Sequence, residues 1–319
     1  MRYLVTGGAG FIGSNIVDEL ARRGHKVVVL DDLSAGKEAN LAGVRAKIDF
    51  RVGSITDLAM VRAASEGADY VIHLAARTSV PKSVLDPLET NLVNIDGTLN
   101  VLVAAKEVKV KRVVFAASSS AYGETPTLPK LETMQPQPIS PYGVTKYVGE
   151  LYGQTFGRCY GLENVSLRYF NIFGPRQDPS SPYSGVLAKF CTAFLDETQP
   201  IVFGDGEQTR DFTFVDNAVQ ANLLACESPN VSGKVFNVGC GGRVSLNEVL
   251  RTLAKITGKT LEAKYDPPRD GDIRDSQADI SQAKEFLNYD PQVDFEEGLT
   301  RTFEWYRGTQ TKAVAKAEK

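Results

Sequence analysis

Seven residues near the start constrain this chain more than any others: Gly7-Gly8-Ala9-Gly10-Phe11-Ile12-Gly13. They follow an apolar run, Tyr3–Val5, and lead into Ile12–Arg23, where apolar residues recur three and four apart. Strand, glycine turn and helix in that order commit the chain to a βα unit. The pattern then repeats. Candidate strands are Lys26–Leu30, Phe50–Val52, Tyr70–Leu74, Arg112–Ala116 and Ser166–Tyr169, with helical patterns at Leu92–Lys106 and Tyr142–Tyr160. Pro141 sits at the first turn of the latter, where a missing N–H costs least. Buried strands joined by helices predict an α/β fold, a doubly wound parallel sheet covered on both faces. After about Gly174 the texture changes, through Pro175, Pro179 and Pro182, to more mixed elements. Helices are expected at Val186–Leu195, Val215–Cys226 and Leu246–Thr257, and short strands at Lys234–Val238 and Leu261–Tyr265. The expected organisation is a first domain over 1–174, a smaller and partly interleaved mixed α/β lobe over 175–307, and a frayed tail over 308–319.

The glycines contain both G-x-G-x-x-G (Gly8, Gly10, Gly13) and G-x-x-G-x-x-G (Gly7, Gly10, Gly13). Between a strand and a helix, they let the backbone approach a pyrophosphate, and the helix N-terminus offers free N–H groups. Asp31 closes the second strand. A carboxylate there accepts hydrogen bonds from the adenosine ribose and repels a 2′-phosphate, which points to NAD rather than NADP. Composition removes other classes. Thirty-six basic and 39 acidic side chains give a net charge of −3, so there is no bulk attraction to nucleic acid or an anionic membrane. Four cysteines without a C-x-x-C pair and only two histidines argue against a metal site or a disulfide framework. With no leader-like start and no run approaching ~18 apolar residues, a cytoplasmic protein is expected. His25 is expected at the surface, and His73, in an apolar strand, in the core.

Chemistry-bearing residues concentrate around Tyr142-Gly143-Val144-Thr145-Lys146, which sets a phenol and an ammonium four residues apart on one helix face. A free tyrosine titrates near ~10 and is a poor base. A neighbouring Lys⁺ and an oxidised nicotinamide both favour the phenolate. Upstream, Ser118-Ser119-Ser120 leaves the end of a strand, where hydroxyls can meet a sugar hydroxyl or a carbonyl.

Glycine loop, strand-end serines and Tyr-x-x-x-Lys together resemble the extended short-chain dehydrogenase/reductase family, from Met1 to about Arg307. Within it the chain is similar to the UDP-hexose 4-epimerases of the UDP-glucose/UDP-N-acetylglucosamine group. The supporting stretches are Ala116–Gly123, Ser140–Lys146, Leu167–Asn171, Arg176–Pro179 and Gly204 through Phe212. The resemblance implies a Rossmann fold and NAD held by Gly7, Gly10, Phe11, Ile12, Gly13, Asp31, Asp32, Ser54, Ile55, Leu74, Ala75, Ala76, Asn94 and Phe170, with Tyr142 and Lys146. Many 4-epimerases carry an adenine-contacting Asp where this chain has Ser54. Tyr142, Lys146 and Ser118 are the implied catalytic set. Implied contacts to a UDP-sugar come from Ser118, Ser119, Ser120, Tyr142, Asn171, Val186, Arg210, Arg269, Asp272 and Ser276. Arginine's rigid fork suits the diphosphate.

The implied reaction is oxidation at C4′, rotation of the resulting 4-keto sugar and reduction from the other face. Related 4,6-dehydratases and UDP-glucuronate decarboxylases carry a carboxylate where this chain has Ser119 and Ser120, which disfavours both. A UDP-glucuronate 4-epimerase ranks lower because those enzymes tend to carry Arg at the position of Asp178, and Asp repels a uronate. A nucleotide-sugar 4-ketoreductase, which must exchange its coenzyme, is a further alternative, as is a dinucleotide-binding regulator without catalysis. Ser276 occupies what the resemblance marks as a gate, where a small residue leaves room for a 2-acetamido group. Related enzymes often dimerise through the helices near Leu92–Lys106 and Tyr142–Tyr160, so a homodimer is expected, with Val101, Leu102, Val148 and Leu151 in a core or an interface.

Overall fold

The computed structural model describes residues 1–179, 185–268 and 273–317, with side chains as far as Gln310. Its centre is a seven-stranded sheet of β1 (Arg2–Thr6), β2 (Lys26–Asp31), β3 (Ile48–Val52), β4 (Tyr70–His73), β5 (Arg112–Ser118), β6 (Glu163–Tyr169) and an edge strand, Lys234–Val238. From edge to edge the order is Lys234–Val238, β6, β5, β4, β1, β2, β3, and every neighbouring pair is parallel. Strands such as Lys-Val-Val-Val-Leu-Asp are apolar on both sides because helices cover both faces, and all seven residues of β5 are buried. Ile16, Val17 and Leu20 of α1 (Phe11–Arg22) pack against one side of the sheet. The other core joins α2 (Leu58–Ser65) to Val101, Leu102 and Phe156. The doubly wound architecture read from the sequence is the one observed.

Several expectations are revised. The pattern at Leu92–Lys106 is helical throughout, as read, but not α-helical throughout. It follows α3 (Val80–Leu85) and α4 (Pro87–Asn91), opens with a wide π turn at Leu92–Asp96 and continues as α5 (Gly97–Glu107). The wide turn places Asn94 in the interior, 2% exposed. The short strand expected at Leu261–Tyr265 runs over Lys264–Asp266 and pairs with Ile201–Phe203. The expected frayed tail is instead helical. A helix from Phe295 continues to Ala317, because Leu299, Phe303 and Tyr306 anchor its earlier turns and the following Lys and Ala residues extend the ladder at little cost.

His73 lies in the core as expected, held by Thr6 at Nδ1 (2.7 Å) and Thr98 at Nε2 (3.0 Å). Burial, with the Lys146 charge adding to it, pushes its pKa down to about 3, so the ring is neutral. His25 is half-buried rather than exposed, its ring 5.1 Å from that of Tyr3. Among the described residues, no helix is long and apolar enough to cross a membrane, and no group of three or more His, Cys, Asp or Glu could hold a metal ion.

Candidate active site

The strand order reverses direction between β1 and β4, so the loops leaving their C-terminal ends diverge and open a crevice. That crevice is a cleft of about 520 Å³. Gly7, Gly10, Phe11, Ile12 and Gly13 form its floor, with Asp31, Asp32, Ile55, Leu74, Ala75 and Ala76 around it. The glycines are required sterically. Gly7 has φ +70, and a Cβ there would lie 2.7 Å from the Ala75 nitrogen; a Cβ on Gly13 would lie 2.2 Å from the Gly7 carbonyl oxygen. A side chain at either position would fill the cradle, so the bare backbone at the start of α1 suits a dinucleotide pyrophosphate.

Asp31 does more than face the cleft. Its Oδ2 accepts from the Ala9 N–H and its Oδ1 from the Leu33 N–H, both at 2.9 Å, so the same carboxylate shapes the glycine loop. Burial raises its pKa, and those two N–H groups pull it back. Three residues assigned to the coenzyme by resemblance lie away from the cleft wall. Ser54 shares a hydrogen bond with Thr56 (2.9 Å), while its neighbours Gly53 and Ile55 line the cleft. Phe170 is fully buried, its ring 6.1 Å from that of Tyr122. Asn94 accepts from Arg77 N (2.7 Å) and donates to Arg77 O and to Thr145 Oγ1 (both 3.0 Å). It therefore ties the loop after β4 to the helix that carries Tyr142.

That helix, α6 (Pro141–Tyr160), starts with Ser140 accepting from the Gly143 N–H (3.1 Å) and Pro141 in its first turn. The Tyr142 N–H donates to Ser83 Oγ at 3.1 Å. Tyr142, Lys146 and Ser118 all reach the cleft. Ser118 faces the same cleft as Tyr142 and donates to Ser120 Oγ (3.1 Å). The Lys146 ammonium donates to Ala116 O (2.8 Å) and stands 5.9 Å from the Tyr142 ring centre. Burial pushes Lys146 down to about 8. Burial also raises the Tyr142 phenol, with Ser118 pulling it back. In the protein alone, burial therefore outweighs the expected lowering of the phenol. Ser119 and Ser120 form a turn after β5 and are half-buried outside the cleft wall.

A second cavity of about 280 Å³ adjoins the first, sharing Asn171, Ile172, Gln177 and Gly185. Val186 and Arg210 line it, with Lys189, Phe203 and Gln208. Arg210 Nη1 donates to Thr209 O (2.9 Å) and Arg274 O (3.0 Å). Asn171 has φ +35, and its side-chain amide donates to Ser276 Oγ at 3.4 Å. Ser276 is half-buried behind Asn171 rather than on a cavity wall. Arg269 and Asp272 lie outside the described residues. Asp178 does not stand free to face a sugar: its Oδ2 accepts from Lys37 Nζ at 2.6 Å across the first cleft.

Sequence reading missed Lys37, Arg77, Arg176 and Gln177 on the first wall and Lys189, Phe203 and Gln208 on the second. The local signal at these positions was Arg176-Gln177 and Gln208, within stretches already quoted. The others come from separate segments that meet only in the fold: Lys37 and Arg77 from loops, Lys189 from the helix Val186–Leu195 and Phe203 from the strand Ile201–Phe203.

A model of the NAD dependent epimerase/dehydratase family matches residues 3–239. Over 311 residues the chain is 41% identical to a UDP-glucose 4-epimerase of Mycolicibacterium smegmatis, covering 96% of this chain and 99% of that protein. Its fold matches a UDP-glucose 4-epimerase of Thermotoga maritima solved with UDP-glucose, at TM-score 0.93 and 44% identity, over 97% of this chain and 100% of that one. It also matches a UDP-N-acetylglucosamine 4-epimerase of Methanobrevibacter ruminantium in complex with UDP-N-acetylmuramic acid, at TM-score 0.93 and 41% identity, over 97% and 98%. The chain belongs to the NAD dependent epimerase/dehydratase family, whose coenzyme is NAD.

Proposed function

We propose that this protein interconverts UDP-hexoses at C4′, acting on UDP-glucose/UDP-galactose and on the N-acetylated pair. The observation that carries the reading is that Tyr142, Ser118 and Lys146 line one cleft, which is continuous with the cavity holding Arg210. NAD, when bound, would supply the hydride-transfer chemistry at C4′. The chain's own groups do the rest. The Tyr142 oxygen takes the proton from O4′ and later gives it back. Ser118 Oγ holds the same oxygen, and Lys146 fixes the nicotinamide ribose and places positive charge near the phenol. Arg210 and Arg269 grip the diphosphate, Asp272 the uridine ribose and Val186 the second cavity's wall, so the hexose can turn while the nucleotide stays. The division of labour is a coenzyme domain over 1–174 and a substrate lobe over 175–307.

Serines at 119 and 120, with no carboxylate after β5, weigh against elimination or decarboxylation after oxidation. Incubation with UDP-glucose, UDP-N-acetylglucosamine and UDP-glucuronate, without added coenzyme, tests the reading by NMR at C4′. The first two are expected to give 4-epimers; no 4-epimer from any of the three overturns the proposal, and a requirement for added NAD(P)H supports the ketoreductase. Ser276→Tyr is expected to lower kcat/KM for the N-acetylated substrate selectively, by about tenfold or more, because one overpacked side chain costs ~1–3 kcal/mol. Equal losses for both classes would sink the gate.

We also propose a homodimer. Leu85 and Leu88 are 78% and 81% exposed, Leu92, Val144 and Leu151 are exposed too, and α3 and α4 both pack against α6. Val101 and Leu102 are buried in the protomer's own core. Leu88→Glu should yield monomers in sedimentation velocity. A wild-type protein that is already monomeric, or a variant that stays dimeric, counts against this surface.

A further inference from the structure

Asp211 lines neither cavity, yet it is 1% exposed and joins the segments that carry three proposed substrate contacts. Its carboxylate accepts main-chain N–H groups from Cys240 (2.8 Å), Gly241 (3.0 Å) and Ala278 (3.0 Å). Its own carbonyl accepts from the Asn171 side-chain amide at 3.4 Å. Arg210 is its chain neighbour, and Ala278 follows Ser276 by two residues. Separate connecting segments thus meet on one buried carboxylate. The packing leaves little slack: a Cβ on Gly239 would lie 2.8 Å from Asp211 Oδ2 and 2.6 Å from the Ala278 Cβ.

We infer that Asp211 is a positioning residue for the substrate wall, setting where Arg210, Asn171 and Ser276 stand relative to one another without touching substrate. The inference rests on the reading in which those residues meet a UDP-sugar. Only a carboxylate can satisfy this arrangement, because it presents two acceptor oxygens to three donors. An asparagine keeps the shape but turns an NH₂ toward an N–H, leaving a buried donor unpaired. None of Asp211, Cys240, Gly241 and Ala278 lines the coenzyme cleft, so the damage should stay on the substrate side.

The test compares Asp211→Asn with Arg210→Ala, each scored for bound NAD, melting temperature, and kcat and KM for UDP-glucose and UDP-N-acetylglucosamine. For Asp211→Asn the expected result is a rise in KM of about ten- to hundredfold, from the loss of a charge-assisted buried hydrogen bond. NAD content and kcat per bound NAD should stay near wild type, and the preference between the two substrates should shift as Ser276 moves. A lower melting temperature with KM and substrate preference unchanged shows a structural role only and overturns the inference. The same follows if Arg210→Ala raises KM while Asp211→Asn does not. If neither variant raises KM, the assignment of the UDP site has failed instead, and the inference falls with it. Should Asp211→Asn not fold, Gly239→Ala strains the same clamp from the opposite side, and its outcomes are read in the same way.

Discussion

Replacing Tyr142 with phenylalanine lowers kcat by about 10²–10⁴-fold, the range ordinary for removing a positioned acid–base group, while bound NAD and the KM for UDP-sugar stay close to wild type. The size of the effect follows from the shortage of alternatives. His73 is sealed behind the cleft between Thr6 and Thr98, with its pKa pushed down to about 3. Lys146 is committed to Ala116 O, and Asp31 to the Ala9 and Leu33 N–H groups. Burial raises the phenol, so the wild-type enzyme should lose kcat/KM as pH falls and the phenolate fraction shrinks. The phenylalanine variant should lack that acid limb. Initial rates from NMR across pH check both points, and a variant keeping more than about a tenth of wild-type kcat would remove Tyr142 from the proton transfer.

Gly13→Val should give a folded protein that purifies almost free of NAD. The new Cβ would meet the Gly7 carbonyl oxygen at 2.2 Å and the Gly8 Cα at 2.8 Å. Both are backbone atoms and cannot swing aside, so the loop must open. Overpacking of this kind costs ~1–3 kcal/mol, or about ten- to hundredfold in coenzyme affinity if the strain falls on the bound state. Helix α1 remains anchored by Ile16, Val17 and Leu20, so circular dichroism should change little. Coenzyme released on denaturation and counted per chain is the measurement. Wild-type stoichiometry would show that the loop does not carry the pyrophosphate.

Some of this was readable in the chain because the determining interactions are local. A strand, a glycine turn and a helix are contiguous, so Gly7 to Gly13 announced the βα unit and its cleft. Tyr142 and Lys146 share a helix face through backbone periodicity alone, and Ser118 closes a strand recognisable by its apolar run. Resemblance extended the list to Asn94, Phe170 and Ser54, but residue type does not say where a side chain points. Asn94 is consumed by Arg77 and Thr145, Phe170 by the core, and Ser54 by Thr56.

By itself the sequence determined the α/β class and the coenzyme fold, because buried parallel strands and a glycine-lined helix start are written in short-range pattern. It also marked the Tyr–Lys–Ser chemistry, since two of those groups are four residues apart. Only the tertiary structure decided that Asp178 pairs with Lys37 and that Gln177 stands where two cavities meet. It alone showed burial raising the Tyr142 phenol, and Asp211 gathering N–H groups from Cys240, Gly241 and Ala278. Those outcomes depend on desolvation and on contacts between residues up to 141 positions apart. Neither quantity has a local signature, because both are set by how the loops close over the sheet.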